Sequence, residues 1–349
     1  MSPYSYAIRF VPVPRLFVLV AAGSVLFASA ASAKVRKETY AYKTVGSLEI
    51  RTDVYRGDSD LERPVVVWIH GGALINGHRE SINRRLNDAF LAAGYIVVSI
   101  DYRLAPETKL PEIIQDVEDA FRWIREKGPG LFHADPNRIA VVGGSAGGYL
   151  TLTAGFRVKP RPVALVALWG YGDLVGPWYS SPSPHPRHHG IKLTREEAFR
   201  QVGGQPVSDA RDRRGDGGAF YQFCRQQGLW PKAVSGWDPH AEQTKFVPYM
   251  PVRNVTPDYP PTLLIHGEKD TDVPCEQSTM MADELRRNQV EHRLVTIADA
   301  EHGLAGGDPA KVDEAYRLAV DFVRKHLDRK PVAVQGRPDL EYQLENRSK

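Results

Sequence analysis

Short, largely apolar runs that recur with helical stretches between them leave this chain few ways to fold. Residues 64–69 (PVVVWI) and 95–100 (YIVVSI) lack the polar–apolar alternation of a half-exposed strand, so both faces of each must be covered. Residues 138–142, 163–168, 261–265 and 292–297 complete the set, and residues 48–55 alternate as an earlier strand. The helical pattern is clearest in residues 111–127, where Ile113, Ile114, Val117, Ala120, Phe121 and Ile124 form one stripe at helical period. Strands alternating with helices imply right-handed crossovers and a mainly parallel sheet covered on both faces. A content of 42% hydrophobic and 25% charged residues supplies the core and excludes a disordered or fibrous chain.

The rhythm breaks once. Residues 171–259 are rich in Pro, Gly, Arg, His and aromatics, too long for a simple connection, and carry helical signals of their own. Thr194 with Glu197 forms a capping box that opens a helix ending at Gly203 and Gly204. Phe220, Phe223 and Cys224 stripe another, which stops at Gly228. The segment reads as a lid over the carboxyl ends of the strands, where an open α/β sheet places its site; surface decoration is the alternative, since long insertions are tolerated cheaply. The core then comprises residues 34–170 and 260–327, with a polar tail at 328–349. Residues 1–33 hold Arg9 and Arg15, no acidic residue, an apolar stretch at 16–27 and small residues up to Ala33, the pattern of a cleaved secretory signal. That stretch is shorter than the ~20 residues a spanning helix needs, so the mature chain is expected to be secreted or periplasmic with no membrane span. A net charge of +3 suggests no nucleic-acid partner. The two cysteines, Cys224 and Cys275, exclude a disulfide scaffold and a zinc module but leave one bridge open.

Three motifs carry chemistry. Gly143-Gly144-Ser145-Ala146-Gly147 follows one apolar run and precedes a helical one, as a nucleophile elbow requires: small residues at 143 and 147 allow a tight strand-to-helix turn that exposes the serine oxygen. A serine hydroxyl needs a base within hydrogen-bond reach and a third group to hold that base. The run at 261–265 leads into a turn holding Glu268, Asp270 and Asp272, and the last run leads to Glu301-His302-Gly303. Among eleven histidines, His302 has rivals in His292, at a strand start, and His326, expected at the surface near the end of the terminal helix. His185, His188 and His189 crowd the insertion without a carboxylate or thiol at ligand spacing, so no metal site and no cofactor are expected. Finally, His70-Gly71-Gly72-Ala73 follows a strand, and glycines there let backbone N–H groups meet a developing oxyanion.

His70-Gly71-Gly72, the stretch from Asp101 to Glu107, the Gly143–Gly148 elbow, residues 266–274 and Glu301-His302-Gly303 together resemble the α/β-hydrolase esterases of the hormone-sensitive-lipase-like and feruloyl/acetyl-esterase branch. The resemblance runs from about residue 60 to 327 and fails only in the insertion. It implies a mainly parallel eight-stranded sheet with helices on both faces and a lid between the sixth and seventh strands. It also implies a triad of Ser145, Asp270 and His302, in that chain order, with Asp272 the alternative acid, and an oxyanion hole from Gly71, Gly72 and Ala146. The Asp101–Glu107 stretch is scaffold in that family. Two departures stand out: Ala73 replaces the usual third glycine, which would narrow the room for a bulky alcohol, and Gly144 stands where lipase-like relatives often carry Asp. The expected activity is hydrolysis of a small-molecule ester. The alternatives are a prolyl-oligopeptidase-like peptidase, which shares the elbow and the terminal His-Gly, and an inactive binding module on the same fold. Oligomeric state is not legible.

Overall fold

The computed structural model describes residues 35–328, so the expected signal at 1–33 and the tail beyond Asp328 lie outside the described residues. Eight strands, β1 (Arg36–Val45), β2 (Leu48–Arg56), β3 (Arg63–Ile69), β4 (Ile96–Ile100), β5 (Ala134–Gly144), β6 (Ala164–Leu168), β7 (Thr262–Gly267) and β8 (His292–Ile297), form one sheet in the order β1-β2-β4-β3-β5-β6-β7-β8. β1 pairs with β2, and β2 with β4, antiparallel; every other pairing is parallel. The helices are α1 (Arg84–Ala92), α2 (Leu110–Phe132), α3 (Ala146–Arg157), α4 (Pro177–Ser180), α5 (Arg195–Phe199), α6 (Gly218–Gln227), α7 (Trp230–Ser235), α8 (Gln243–Phe246), α9 (Glu276–Arg287) and α10 (Pro309–Leu327).

The apolar runs divide by the two-residue period of a strand. In β3, Val65, Val67 and Ile69 face a core shared with α2 and α3, while Val66 and Trp68 face a second core built with Leu86 and Phe90 of α1 and Ala315, Ala319 and Val323 of α10. The insertion joins the first core: Tyr179, Phe220, Trp230 and Phe246 are all buried there. Three elements differ from expectation, among them α5, which ends at Phe199 rather than at Gly203 and Gly204. β1 has no sequence signal because it is an edge strand of mostly polar residues, with only Tyr42 buried. α2 continues past Lys127 through Pro129 and ends at His133, whose φ of 59° reverses the chain.

β4 and β5 lie on opposite sides of β3, so the strand order reverses there and leaves a crevice at the carboxyl ends. The loop after β3 and the turn after β5 open onto that crevice.

Candidate active site

Ser145 stands between β5 and α3 with φ 57° and ψ −122°, a strained conformation for a side chain with a Cβ. The surrounding backbone enforces it. A Cβ on Gly147 would lie 2.0 Å from the Ile69 carbonyl oxygen, and one on Gly143 2.4 Å from that of Gly147. The Ser145 N–H donates to the Leu168 carbonyl at 2.9 Å, fixing the turn to β6. The side chain remains partly exposed.

The structure brings Ser145, His302 and Asp270 together. Ser145 Oγ lies 3.1 Å from His302 Nε2, and His302 Nδ1 lies 2.7 Å from Asp270 Oδ2. A carboxylate only accepts, so Nδ1 carries the proton and Nε2 is left to accept one from the serine. Asp270 Oδ1 accepts the N–H groups of Asp272 and Val273, each at 2.9 Å, and His266 Nε2 lies 3.3 Å from Oδ2. Burial alone would push this carboxyl up; hydrogen bonds from His266, His302 and Val273 outweigh it and bring the pKa down to about 2. Asp272 does not reach Nδ1. Its Oδ2 sits 3.7 Å from His302 Nε2, on the serine side of the ring.

The loop after β3 closes the other wall. A Cβ on Gly71 would lie 3.3 Å from Ser145 Cβ, and Gly72, Ala73 and Leu74 all take positive φ, at 104°, 56° and 61°. No acceptor among the described residues takes the N–H of Gly71 or Gly72. The Ala146 N–H opens α3, where a first-turn donor has no intrahelical partner. The Ala73 methyl packs into the core, and its carbonyl accepts the Trp230 indole N–H at 2.9 Å. Beneath the loop, His70 stacks on Tyr102 at 4.3 Å, and burial lowers its pKa to about 4, so it stays neutral. A Cβ at Gly144 would meet the Trp169 indole at 3.1 Å, so the glycine makes room for a ring edge-on to the His302 imidazole, 6.3 Å away.

The Asp101–Glu107 stretch braces the same wall. Asp101 pairs with Arg79 at 2.7 Å, the Tyr102 hydroxyl donates to the His70 carbonyl at 2.9 Å, and Arg103 pairs with Asp116 at 2.7 Å. Glu107 pairs with Arg213 of the insertion at 2.5 Å.

Sequence reasoning gave no site role to four residues that lie beside the site. Arg187, His188, Tyr221 and Arg225, all from the insertion, converge on Asp272. Tyr221 and Arg225 share a face of α6, one turn apart, but nothing in the sequence directed that face at Asp272. Of the rival histidines, His326 is a correction. Expected at the surface, it is 7% exposed, packed on Phe322 and 3.5 Å from Glu291, because the last turn of α10 lies against the sheet edge. Cys224, buried, and Cys275, partly exposed, are both free thiols. Among the described residues no group of three or more His, Cys, Asp or Glu side chains is placed to hold a metal ion, and no helix is long and apolar enough to cross a membrane.

A parallel α/β sheet with a serine-bearing elbow at its switch point defines the class as one of the α/β enzymes. The chain belongs to the alpha/beta hydrolase fold family, whose profile matches residues 66–306. It is similar to the non-reducing polyketide synthase ausA of Aspergillus calidoustus, 28% identical over 347 residues, covering 84% of this chain and 14% of the synthase. It is also 28% identical to the esterase LipC of Mycobacterium tuberculosis over 270 residues, covering 76% of this chain and 59% of LipC. The chain thus spans only part of the length of these relatives. A truncated form of a carbohydrate esterase from gut microbiota superposes with a TM-score of 0.62 at 20% identity, over 85% of this chain and 97% of that one, a likeness of fold.

Proposed function

We propose that the chain is an exported carboxylesterase acting on a small-molecule ester through an acyl-enzyme. Ser145 attacks the ester carbonyl while His302 Nε2 takes its proton. Asp270 fixes the imidazole tautomer and stabilises the imidazolium, and the N–H groups of Gly71, Gly72 and Ala146 receive the oxyanion charge. The imidazolium then gives its proton to the departing alcohol. Water, activated by the same imidazole, attacks the acyl-enzyme and releases the acid. The observation that carries this reading is the relay itself: 3.1 Å from the serine oxygen to one ring nitrogen and 2.7 Å from the other to a buried carboxylate.

Ester rather than amide specificity is favoured by relatives described as esterases. Ser145→Ala is expected to lower turnover of p-nitrophenyl acetate by roughly 10⁴–10⁶-fold and to abolish labelling by a fluorophosphonate. Turnover within tenfold of the parent would overturn the assignment. Export rests on residues 1–33 and is tested by sequencing the mature N-terminus, expected at Lys34; an exported chain that still begins at Met1 would refute cleavage.

A further inference from the structure

Asp272 faces His302 from the side opposite Asp270. Its Oδ2 is 3.7 Å from Nε2, the nitrogen turned toward Ser145, and the residue is only 9% exposed. A carboxylate so buried stays ionised only where donors hold it. Here the insertion provides them. The Tyr221 hydroxyl donates to Oδ1 at 2.5 Å, His188 Nε2 lies 2.9 Å from the same oxygen, and Arg225 donates to the Asp272 carbonyl at 3.0 Å. His188 is fixed in turn by Ser183 Oγ, 2.7 Å from its Nδ1, and the Arg225 guanidinium stacks 4.7 Å from the Tyr179 ring centroid. Burial would push the Asp272 carboxyl up, but His188, the charges of His302 and Arg225, and Tyr221 hold it well below the usual carboxylate range.

The relay at Nδ1 is already complete without this second anion. What Asp272 adds is specific to one protonation state. A neutral imidazole presents a lone pair at Nε2, which a carboxylate does not favour. Once Nε2 has taken the serine proton it is a cation with an anion alongside, in a site where such attraction is only partly screened.

We propose that Asp272 is a positioning residue that stabilises the His302 imidazolium formed during acyl transfer, and that the insertion serves to hold this carboxylate in place. The proposal rests on the reading of Ser145 as nucleophile and His302 as base. The proton moves from Ser145 Oγ to Nε2 and on to the leaving alcohol; none passes to Asp272. The other ionisable groups facing the pair are accounted for. Glu301, on the same loop as His302, accepts its backbone N–H at 2.8 Å and is neutralised by Arg187 at 2.9 Å. Arg187 also approaches Asp272 Oδ2, at 3.8 Å, and His266 lies behind Asp270.

The test is the pH dependence of kcat/KM for p-nitrophenyl acetate in the parent, Asp272→Asn and Tyr221→Phe enzymes. Removing an anion beside an imidazolium makes the ring harder to protonate, so the free base persists to lower pH. The acid limb of Asp272→Asn is expected to move down by about one pH unit, with a fall of roughly tenfold in plateau kcat and little change in KM. Tyr221→Phe keeps the ring in place but leaves His188 as the side chain on Oδ1, loosening the hold on the carboxylate, and a smaller shift of the same sign is expected; it carries the test alone if Asp272→Asn does not fold. An acid limb that stays put in the folded variants, even with reduced kcat, would leave Asp272 a merely structural residue and overturn the proposal. Failure of the parent reading is distinguishable, because it would show as turnover surviving in Ser145→Ala.

Discussion

A single methyl group is too much at position 147. The Cβ would fall 2.0 Å from the Ile69 oxygen and 2.7 Å from that of His70, backbone atoms at the end of β3 and the start of the loop after it. Neither side can move without shifting β3 against α3, so Gly147→Ala is expected to cost about 3 kcal/mol, the upper end of overpacking effects. Urea unfolding measures this, and a loss under 1 kcal/mol would mean that the elbow is looser than its geometry implies. Such constraints are legible because they are local: Gly143, Ser145 and Gly147 fall within five residues, and a G-x-S-x-G after a strand has one geometric use. That Asp270 rather than Asp272 would meet His302 Nδ1 was legible only through the family resemblance, since both sit in one polar turn. The partners of Asp272 were not legible. His188 and Tyr221 reach it across 84 and 51 residues of chain, and no spacing rule links positions brought together only by the packing of an insertion.

At the scale of elements, the insertion is bolted to the core not only through Asp272 but also through Trp230 and Arg213. Trp230 of α7 donates to the Ala73 carbonyl, and Arg213 reaches the carbonyl of Ile75, that of Ala105 at 2.7 Å and the Glu107 carboxylate at 2.5 Å. The Arg213 and Glu107 side chains are 3% and 2% exposed. Deleting one partner of a pair so buried strands the other charge away from water. Arg213→Ala is therefore expected to destabilise by about 3–5 kcal/mol and to expose the insertion to limited proteolysis before the sheet unfolds. Equal cleavage rates in parent and variant would show that the insertion does not depend on this bolt. Most elements could be read from sequence. The buried parallel strands are short apolar runs, and the helix at α6 stops at Gly228, whose φ of 65° suits a glycine cap. The misses have physical causes. The capping box at Thr194 opens a helix, as its residues require, but α5 lasts only to Phe199, because a cap sets where a helix starts and packing sets how far it runs. β1 escaped notice because its pairing with β2 comes from backbone hydrogen bonds at a solvated edge.

Across the whole molecule, the carboxylate held against His302 Nδ1 is also coupled to folding. Asp270 is 7% exposed, and ionising it within the fold is made favourable only by donors gathered from three places: His266 on β7, His302 after β8 and the N–H groups of its own turn. Unfolding scatters those donors and returns the carboxyl from about 2 to its ordinary 3.8. Because the folded-state value is the lower one, the folded chain binds fewer protons in that interval, and the contribution is fully present above about pH 4 and lost as pH falls toward 2. At 1.36 kcal/mol per unit the interval corresponds to about 2 kcal/mol of stability. Other buried groups titrate as well, so the informative quantity is a difference. The stability of the parent minus that of Asp270→Asn, from urea unfolding, is expected to shrink by about 2 kcal/mol between pH 4 and pH 2. A difference unchanged down to pH 2 would mean that the carboxylate gains nothing from its donors on folding. In that case His302 would be oriented by a group no better held than one in solvent, and the 2.7 Å contact would lose its energetic meaning.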